Sequence, residues 1–242
     1  MELDVLAIGA HPDDVELTCS GTVAKCVKLG YKVGILDLTG GELGTRGSKA
    51  VRAREAVEAA EILGVHVREN LGLPDANIEV NAKNRLKLIQ VYRKYRPQIL
   101  LIPHSHDRHP DHVHAHHLCR EAWFYSGLTR IETKLGGKKQ NPWRPRKYFH
   151  YIGRHMLTPT FIVDISDVFD IRMKAIRAYA SQFYNPFSEE PETVLSRKMF
   201  LDVVETRAKY YGHQIGVSHG EPFYSVQPIG VTDIFKVKVF PG

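Results

Sequence analysis

The sequence is poor in cysteine and contains no long hydrophobic run. Only 3 of its 242 residues are cysteine (Cys19, Cys26 and Cys119), and none belongs to a C-x-x-C pair. Such an odd, scattered set argues against a disulfide framework and is typical of small buried apolar side chains. No apolar stretch reaches the roughly 20 residues that cross a bilayer, and the N-terminus has acidic residues where a signal peptide has basic ones. We therefore expect a cytoplasmic protein with no membrane-spanning segment.

The sequence also lacks a nucleic-acid-binding motif, although its formal net charge is +6. The one dense basic stretch, residues 134–147, is interrupted by glycine and proline, and no zinc-finger, RNP-type or basic-heptad pattern accompanies it. Such a stretch is typical of a solvated loop or a subunit contact. We expect no nucleic-acid partner, and the positive charge suits an acidic small-molecule substrate.

No internal repeat and no low-complexity linker divides the chain. It is 43% hydrophobic and 10% aromatic, and its apolar residues are spread over the whole length. A folded chain of this size buries roughly 70–75% of the surface that its unfolded form exposes, which is enough for one sizeable core. This composition excludes intrinsic disorder, and we expect a single domain over residues 1–242.

Short apolar runs alternate with amphipathic segments. The pattern predicts strands at 3–9, 33–38, 65–71, 97–103, 148–152 and 161–165 and helices at 14–30, 51–63, 86–95, 168–182 and 191–211. The tail at 223–239 is predicted to be a short strand or extended chain. Runs that are apolar on both faces and alternate with helices indicate a parallel sheet covered on both sides. We predict an α/β fold of the Rossmann-like, doubly wound kind, with a mostly parallel sheet and helices on both faces.

The loop after the first predicted strand lacks the glycines of a dinucleotide-binding site. Such a site would place G-x-G-x-x-G here, so that the backbone can approach a pyrophosphate. This chain instead has G-A-H-P-D-D-V-E at 9–16. Asp13 and Asp14 would repel a phosphate but attract a divalent cation; alone, they also suit helix capping. The loop excludes a nicotinamide or flavin site and, beside a histidine, favours a metal.

Histidine is concentrated in one segment. Of 13 histidines, 7 lie between His104 and His117, directly after the strand predicted at 97–103. A catalytic zinc commonly has three protein ligands of the His/His/carboxylate type. His11 and Asp14 can supply two of them, and His112, at the start of a predicted helix, is the best candidate for the third.

An alternative pairs His112 with His116, four residues apart on one helix face as in metalloproteases. That motif requires a glutamate after its first histidine, where this chain has Val113. We expect His114, His116 and His117 to lie at the surface or behind the metal ligands, and the residue pattern leaves His104 and His106 without an assigned role.

Two segments together, A-H-P-D-D at 10–14 and H-P-D-H at 109–112, resemble the LmbE-like, or PIG-L, family of zinc-dependent N-acetylglucosamine deacetylases. Similar segments extend the resemblance over nearly the whole chain: G-E-L-G-T-R at 41–46, R-A-R-E at 52–55, L-P-D at 73–75, Y-G at 211–212 and G-E-P-F at 220–223. S-H-D-R at 105–108 and S-Q-F at 181–183 are similar to the branch that deacetylates N-acetylglucosaminyl malate in bacillithiol biosynthesis.

The resemblance implies a ligand set of His11, Asp14 and His112 for zinc, with ferrous iron as an alternative that the same ligands suit. It implies that Asp13 is the general base. A bound zinc lowers the pKa of its water towards ~7, so Asp13 would accept the water proton and return it to the departing amine. The products would be acetate and a free amino sugar.

The resemblance further implies that a protonated His109 stabilises the transition state, with Asp111 orienting that imidazole. Arg52 and Arg108 are candidates to bind substrate hydroxyls or a carboxylate, because a guanidinium can hold a carboxylate bidentately. For both arginines, an ordinary surface salt bridge is the alternative. A malate aglycone, with two carboxylates, would require such cations.

Two other interpretations stay open at this point. One is a deacetylase of chitooligosaccharides or another N-acetyl sugar, and the other is a non-catalytic metal- or sugar-binding protein. The resemblance also implies a homo-oligomer, with a hexamer as one such assembly.

Overall fold

A computed structural model describes residues 1–237 and 239. Within these residues the strands are β1 (Val5–Gly9), β2 (Val33–Thr39), β3 (Val67–Leu73), β4 (Ile99–Pro103), β5 (Lys134–Leu135), β6 (Lys138–Lys139), β7 (Lys147–Tyr151), β8 (Phe161–Asp164) and β9 (Gly220–Tyr224). The α-helices there are α1 (Asp14–Lys28), α2 (Lys49–Leu63), α3 (Ala82–Tyr95), α4 (Pro110–Ser126), α5 (Phe169–Arg177) and α6 (Phe200–His213). None of the described helices is long and apolar enough to cross a membrane.

Seven strands of the described chain form one sheet in the order β3-β2-β1-β4-β7-β9-β8. The first five in that order are parallel to one another, and β9 is antiparallel to both of its neighbours. Strands β1 and β2 are buried at every position, as expected for a sheet covered on both faces. The predicted doubly wound, mostly parallel α/β fold is confirmed.

The helices divide between the two faces of the sheet. On one face, residues of α1, α2, α5 and α6 pack into one hydrophobic cluster, whose members include Val15, Ala59 and Ile176. On the other face, α3 and α4 contribute to a second cluster that includes Leu88 and Leu118. The sheet is therefore enclosed, and its carboxyl-terminal edge is the place where open α/β sheets hold their ligands.

Polar side chains shorten two of the predicted helices. The helix expected at 191–211 begins only at Phe200, because Thr193 and Ser196 hydrogen-bond each other's backbone and side chain in a turn. The helix expected at 168–182 ends at Arg177; just beyond it, the backbone N–H and hydroxyl of Ser181 both donate to the carboxylate of Glu55.

The helix predicted at 86–95 begins four residues earlier, at Ala82, and the strand predicted at 65–71 lies at Val67–Leu73. Further differences lie in the basic stretch and the tail. Part of the stretch 134–147 forms the exposed two-stranded hairpin β5–β6. Among the described residues of the tail, the strand ends at Tyr224, and a short 3₁₀ helix follows at Ile234–Lys236. Residue 238 of the predicted extended segment lies outside the described residues.

Candidate metal centre and active-site cavity

A cavity of about 1010 Å³ opens beside the carboxyl-terminal ends of the parallel strands. Its lining includes residues of the loops that follow β1, β2, β3 and β4, together with residues of α6. Because β1 and β4 are neighbours in the sheet, the acidic loop at 9–14 and the histidine-rich segment are brought together here. The juxtaposition expected from the sequence is present.

Two histidines and an aspartate from these two loops form a candidate metal centre. His11 follows β1, Asp14 begins α1, and His112 lies in the first turn of α4. His11 Nδ1 is 3.4 Å from Asp14 Oδ2, and His112 Nε2 is 3.1 Å from Asp14 Oδ1. The three residues each place one ligand atom within 4.8 Å of the others.

The second nitrogen of His11 faces two carboxylates. Its Nε2 lies 3.0 Å from Asp75 Oδ1 and 3.3 Å from Asp111 Oδ2. Both carboxylates are fixed by backbone N–H groups: Asp75 accepts from Leu43 and Ala76, and Asp111 also accepts from Ala76. A proton held on Nε2 in this way leaves Nδ1 as the metal-binding nitrogen.

A carboxylate also orients His112, the second histidine of the set. Its Nδ1 is 3.2 Å from Asp107 Oδ2, while the other carboxylate oxygen of Asp107 accepts the backbone N–H of His109 at 2.9 Å. Asp107 lies so close to Gly153 that a Cβ at that position would overlap its carboxylate. The arrangement leaves Nε2 of His112 directed at Asp14 and available to a metal.

The chemistry of this donor set fits a divalent cation. Neighbouring ligands of a tetrahedral zinc with bonds of about 2.0–2.2 Å are separated by about 3.3–3.6 Å, close to the 3.4 and 3.1 Å that separate Asp14 from His11 and His112. Burial lowers the pKa of His112, but the charge of Asp14 and a hydrogen bond to Asp107 raise it to about 10. The surrounding carboxylates therefore favour a positive charge here, supplied by bound metal or by protons.

Asp13 lies next to this set in a constrained conformation. Its φ of 101° is a left-handed value that residues with a Cβ rarely adopt, and its side chain is buried. Burial raises the pKa of Asp13 to about 7, in opposition to the nearby charge of Arg52. A buried carboxyl group with a pKa near neutrality suits proton transfer.

Arg52 differs from the expectation of a substrate-binding residue. It is only 5% exposed, its Nη2 lies 3.1 Å from Asp13 Oδ2, and its guanidinium also donates to the backbone carbonyls of Pro12 and Gly41. Gly41, at φ 63°, leaves room for this guanidinium, which a Cβ there would overlap. Arg52 borders the cavity, but both of its terminal nitrogens are engaged with Asp13 and the backbone of the neighbouring loops.

The expected pairing of Asp111 with His109 is also corrected. Nδ1 of His109 accepts the backbone N–H of Asp111 at 3.2 Å, because His109 is the N-cap of α4. The carboxylate of Asp111 turns instead to His11 and to the backbone N–H groups of Ala76 and Ile78. An Nδ1 that accepts leaves the proton on Nε2 of a neutral imidazole.

Electrostatics also argue against a protonated His109. Burial and the positive charges of His11 and His112 lower the pKa of His109. Ligand atoms of His11, His109 and Asp111 also lie within 4.8 Å of one another. This arrangement suits His109 as an N–H donor towards the candidate metal centre.

The other singled-out residues lie apart from the candidate metal centre. Arg108 is exposed on the cavity and has no ion pair within the described residues. His116 hydrogen-bonds the carbonyl of Pro103 through Nδ1 and packs on His150, and no donor set among the described residues pairs it with His112. His114 and His117 are exposed on α4.

Comparisons with known proteins agree with this geometry. A family model described as PIG-L, GlcNAc-PI de-N-acetylase, matches residues 6–123. Diacetylchitobiose deacetylase of Thermococcus kodakarensis is 32% identical over 228 residues, which cover 90% of this chain and 80% of that protein. The chain belongs to the PIG-L, or LmbE-like, family.

Solved structures support the same assignment. A conserved protein of Thermus thermophilus superposes on this PIG-L family member with a TM-score of 0.85 and 36% identity, covering 96% of this chain and 98% of that one. Diacetylchitobiose deacetylase of Pyrococcus horikoshii, in complex with an inhibitor, gives a TM-score of 0.76 and 28% identity, covering 90% and 82%. The deacetylases of the family are metal-dependent, and this member has the His/Asp/His site.

Sequence reasoning missed the two carboxylates that orient the histidine ligands. Asp75 belongs to the L-P-D segment, which is similar to the family but suggested no role, and Asp107 lies two residues before the first histidine of the H-P-D-H motif. Both aspartates follow parallel strands, Asp75 after β3 and Asp107 after β4. An acidic residue at that place could have indicated a role, because the loops after parallel strands meet at one edge of the sheet.

Proposed function

We propose that this protein is a metal-dependent hydrolase that removes the N-acetyl group of an N-acetylglucosaminide. The proposal is based on one observation. A His/Asp/His donor set lies in the cavity, and beside it lies the buried carboxyl group of Asp13, which does not belong to that set. Metal binding alone would not require that carboxyl group, which argues against a purely binding role. The relatives' deacetylase activities support the same reaction class.

We propose that His11 Nδ1, Asp14 and His112 Nε2 hold zinc, with ferrous iron as the alternative. Such a metal supplies an activated water at neutral pH and polarises the acetamide carbonyl. Asp13 receives a proton from the water at its carboxylate and later donates it to the departing nitrogen. Arg52 keeps that carboxylate in place, so we assign Arg52 a positioning role rather than the substrate contact expected from sequence.

His109 completes the proposed machinery. Its Nε2–H would donate a hydrogen bond to the carbonyl oxygen as negative charge develops on it. A neutral donor fits this position because a second positive charge would oppose the metal.

N-Acetylglucosaminyl L-malate, the bacillithiol precursor, is the substrate that we propose. Arg108, Arg154 and Arg207 line the cavity, and none of the three has an acidic partner within the described residues. Unpaired guanidinium groups suit the two malate carboxylates. The 32% identity to a diacetylchitobiose deacetylase instead favours a chitooligosaccharide as the second candidate.

Acetate release from a panel of substrates separates these candidates. With metal content measured in the same sample, we expect the highest kcat/KM for N-acetylglucosaminyl malate, lower values for diacetylchitobiose, and a loss of the preference in Arg108→Ala. An unchanged preference in Arg108→Ala would remove that residue from the anion site. Faster turnover of diacetylchitobiose would favour the second candidate.

The role of Asp13 has its own test. Asp13→Ala, with metal occupancy shown to equal that of the wild type, should lower kcat by about 10²–10⁴-fold, the usual contribution of a general base. Asp13→Asn keeps the shape and removes the basic oxygen, so it should be similarly impaired. Turnover close to that of the wild type would contradict the assignment.

We also propose that residues 1–242 form one domain, that the protein works in the cytoplasm and that it assembles as a homo-oligomer, of which a hexamer is one form. Exposed apolar side chains in the tail, Ile234 at 79% and Phe235 at 96%, support self-association. Light scattering of the purified protein tests the assembly.

A further inference from the structure

Two arginines from different helices line the cavity that contains the candidate metal centre. Arg172 belongs to α5 and is 4% exposed, and Arg207 belongs to α6. Nη1 of Arg172 and Nε of Arg207 are buried nitrogen atoms that have no hydrogen-bond partner among the described residues. A buried charged donor without an acceptor costs more free energy than a neutral one. The pair is therefore suited to an anionic ligand.

The charges around this pair leave a positive excess. Glu221 Oε1 lies 2.9 Å from Nε of Arg172, whereas Arg207 has no ion pair within the described residues. Two guanidinium groups thus share one carboxylate. Burial lowers the pKa of Arg207, and the positive charge of Arg172 lowers it further. An anion bound by both arginines would offset this repulsion.

Arg172 is anchored to the helix that begins with a metal ligand. Its Nη2 donates to the carbonyl of Leu17 at 2.9 Å. Leu17 follows Asp14 by three residues on α1, which is a rise of about 4.5 Å along the helix. The guanidinium of Arg172 therefore lies about one helical turn from the candidate metal centre.

Arg207 is anchored on the other side of the same centre. Its Nη2 donates to the carbonyl of Ile152 at 2.8 Å. The next residue, Gly153, packs against Asp107, the carboxylate that orients a histidine of the donor set. A small molecule released at the candidate metal centre is thus formed beside both guanidinium groups.

The proposed hydrolysis produces an anion in this cavity. The C–N bond of the acetamide breaks, a C–O bond to the water oxygen forms, and the nitrogen takes both protons of the water and leaves as an ammonium. The acyl group leaves as acetate, whose two oxygens can accept N–H donors from two guanidinium groups. Its small size suits donors that are shielded from solvent.

We propose that Arg172 and Arg207 form a product site that binds acetate after hydrolysis, apart from the candidate metal centre. The inference rests on the proposed deacetylase function and extends it. Arg108 and Arg154, which are exposed on the cavity, remain available to larger carboxylates of the substrate. Movement of acetate to the arginine pair leaves the metal position free for the next water.

Calorimetric titration of sodium acetate into the metal-loaded protein, at constant ionic strength, measures this site without turnover. We expect Arg207→Gln to weaken the affinity by about 10-fold or more, the usual value of a hydrogen bond to a charged group. Arg207→Lys, which keeps the charge, should recover part of it. Arg197→Gln is the control, because Arg197 also lines the cavity but pairs with Glu192. Equal acetate affinities in Arg207→Gln and Arg197→Gln would overturn the proposal.

Cobalt-substituted protein shows whether acetate binds at the metal instead. The visible absorption of Co²⁺ changes when one of its ligands changes. We expect acetate to saturate the calorimetric signal at concentrations that leave this spectrum unchanged. A spectrum that changes in parallel with binding would place acetate on the metal and overturn the proposal, and this measurement needs no arginine variant to fold.

L-Malate distinguishes the product from a carboxylate of the substrate. We expect malate to bind the arginine pair more weakly than acetate. Tighter binding of malate that is lost in Arg207→Gln would assign the pair to the substrate and overturn the product site. If no N-acetyl substrate is hydrolysed but acetate still binds in an Arg207-dependent way, the proposed function fails while the carboxylate site stands.

Discussion

Each histidine of the candidate metal centre has one nitrogen directed at the metal position because a carboxylate takes the other. Asp75 and Asp107 perform this role for His11 and His112 at 3.0 and 3.2 Å. Such contacts fix the tautomer and increase the basicity of the ligand nitrogen. The effect requires that the carboxylates themselves stay in place, and backbone N–H donors hold both of them.

Asp75→Asn tests this arrangement. The amide keeps the size of the side chain but removes the negative charge opposite His11, so we expect metal affinity to fall by about 10-fold or more, within the usual 10–100-fold range. Competition with a chromophoric chelator measures the affinity. Asp167→Asn is the control, since Asp167 is a surface carboxylate paired with Lys25 and Lys28. An affinity equal to that of the wild type would show that Asp111 alone suffices.

At this scale the sequence predicted which residues meet but not how they pair. His11, Asp14 and His112 converge as expected because their loops follow adjacent parallel strands. The partners of Arg52 and Asp111 depend on a left-handed Asp13 and on two backbone N–H groups of the 75–78 loop. Such three-dimensional details leave no periodic signal in the sequence.

Among the secondary-structure elements, β9 is connected to α1 and α5 through one buried carboxylate. Glu221, 1% exposed, accepts the backbone N–H groups of Gly21 and Thr22 in α1 and lies 2.9 Å from Arg172 in α5. Arg172 in turn donates to the carbonyl of Leu17. One side chain of the last strand thus fixes the helix that carries Asp14.

Glu221→Gln should therefore destabilise the whole fold. The substitution leaves Arg172 buried without its counter-ion and turns amide hydrogens towards N–H donors, for which we expect a loss of about 3–5 kcal/mol in the free energy of unfolding. Urea denaturation measures it. Glu205→Gln, on exposed α6 with Lys209 as its partner, should cost at most about 1 kcal/mol. A similar small loss for Glu221→Gln would contradict the structural role.

Most elements of the first half were predictable because β1, β2 and β4 are apolar runs and because glycine follows α1 and α2. β1, β2 and β4 lie within two residues of their predicted bounds. The predicted start of the helix at 191–211 was wrong, because Thr193 and Ser196 form a local turn there. Propensity and periodicity do not include such side-chain competition for backbone groups.

On the scale of the whole molecule, we expect the buried histidines outside the candidate metal centre to affect the stability of the fold in acid. His150 is 2% exposed, and neither ring nitrogen has a hydrogen-bond partner among the described residues. It packs against His104 and His116. Burial and the neighbouring imidazoles lower the pKa of His150 to about 3, and burial lowers that of His116 to about 4.

These depressed pKa values predict a loss of stability below neutral pH. In the unfolded chain His150 gains a proton near pH ~6.5, but in the folded protein only near about 3. Between these values the unfolded state binds more protons, so the free energy of unfolding falls as the pH falls. At pH 5 the expected contribution of His150 is about 2 kcal/mol.

His150→Phe should remove that part of the acid sensitivity. Phenylalanine fills the buried position without titrating and breaks no side-chain hydrogen bond of His150, so stability at pH 7 should change by less than about 1.5 kcal/mol. The difference between urea unfolding at pH 7 and pH 5, in metal-saturated buffer, should shrink by about 2 kcal/mol. His114→Phe, at an exposed position of α4, should leave this difference unchanged. An equal shift in both variants would mean that acid sensitivity arises elsewhere, whereas a shift confined to His150→Phe would assign it to the buried imidazole beside β4 and α4.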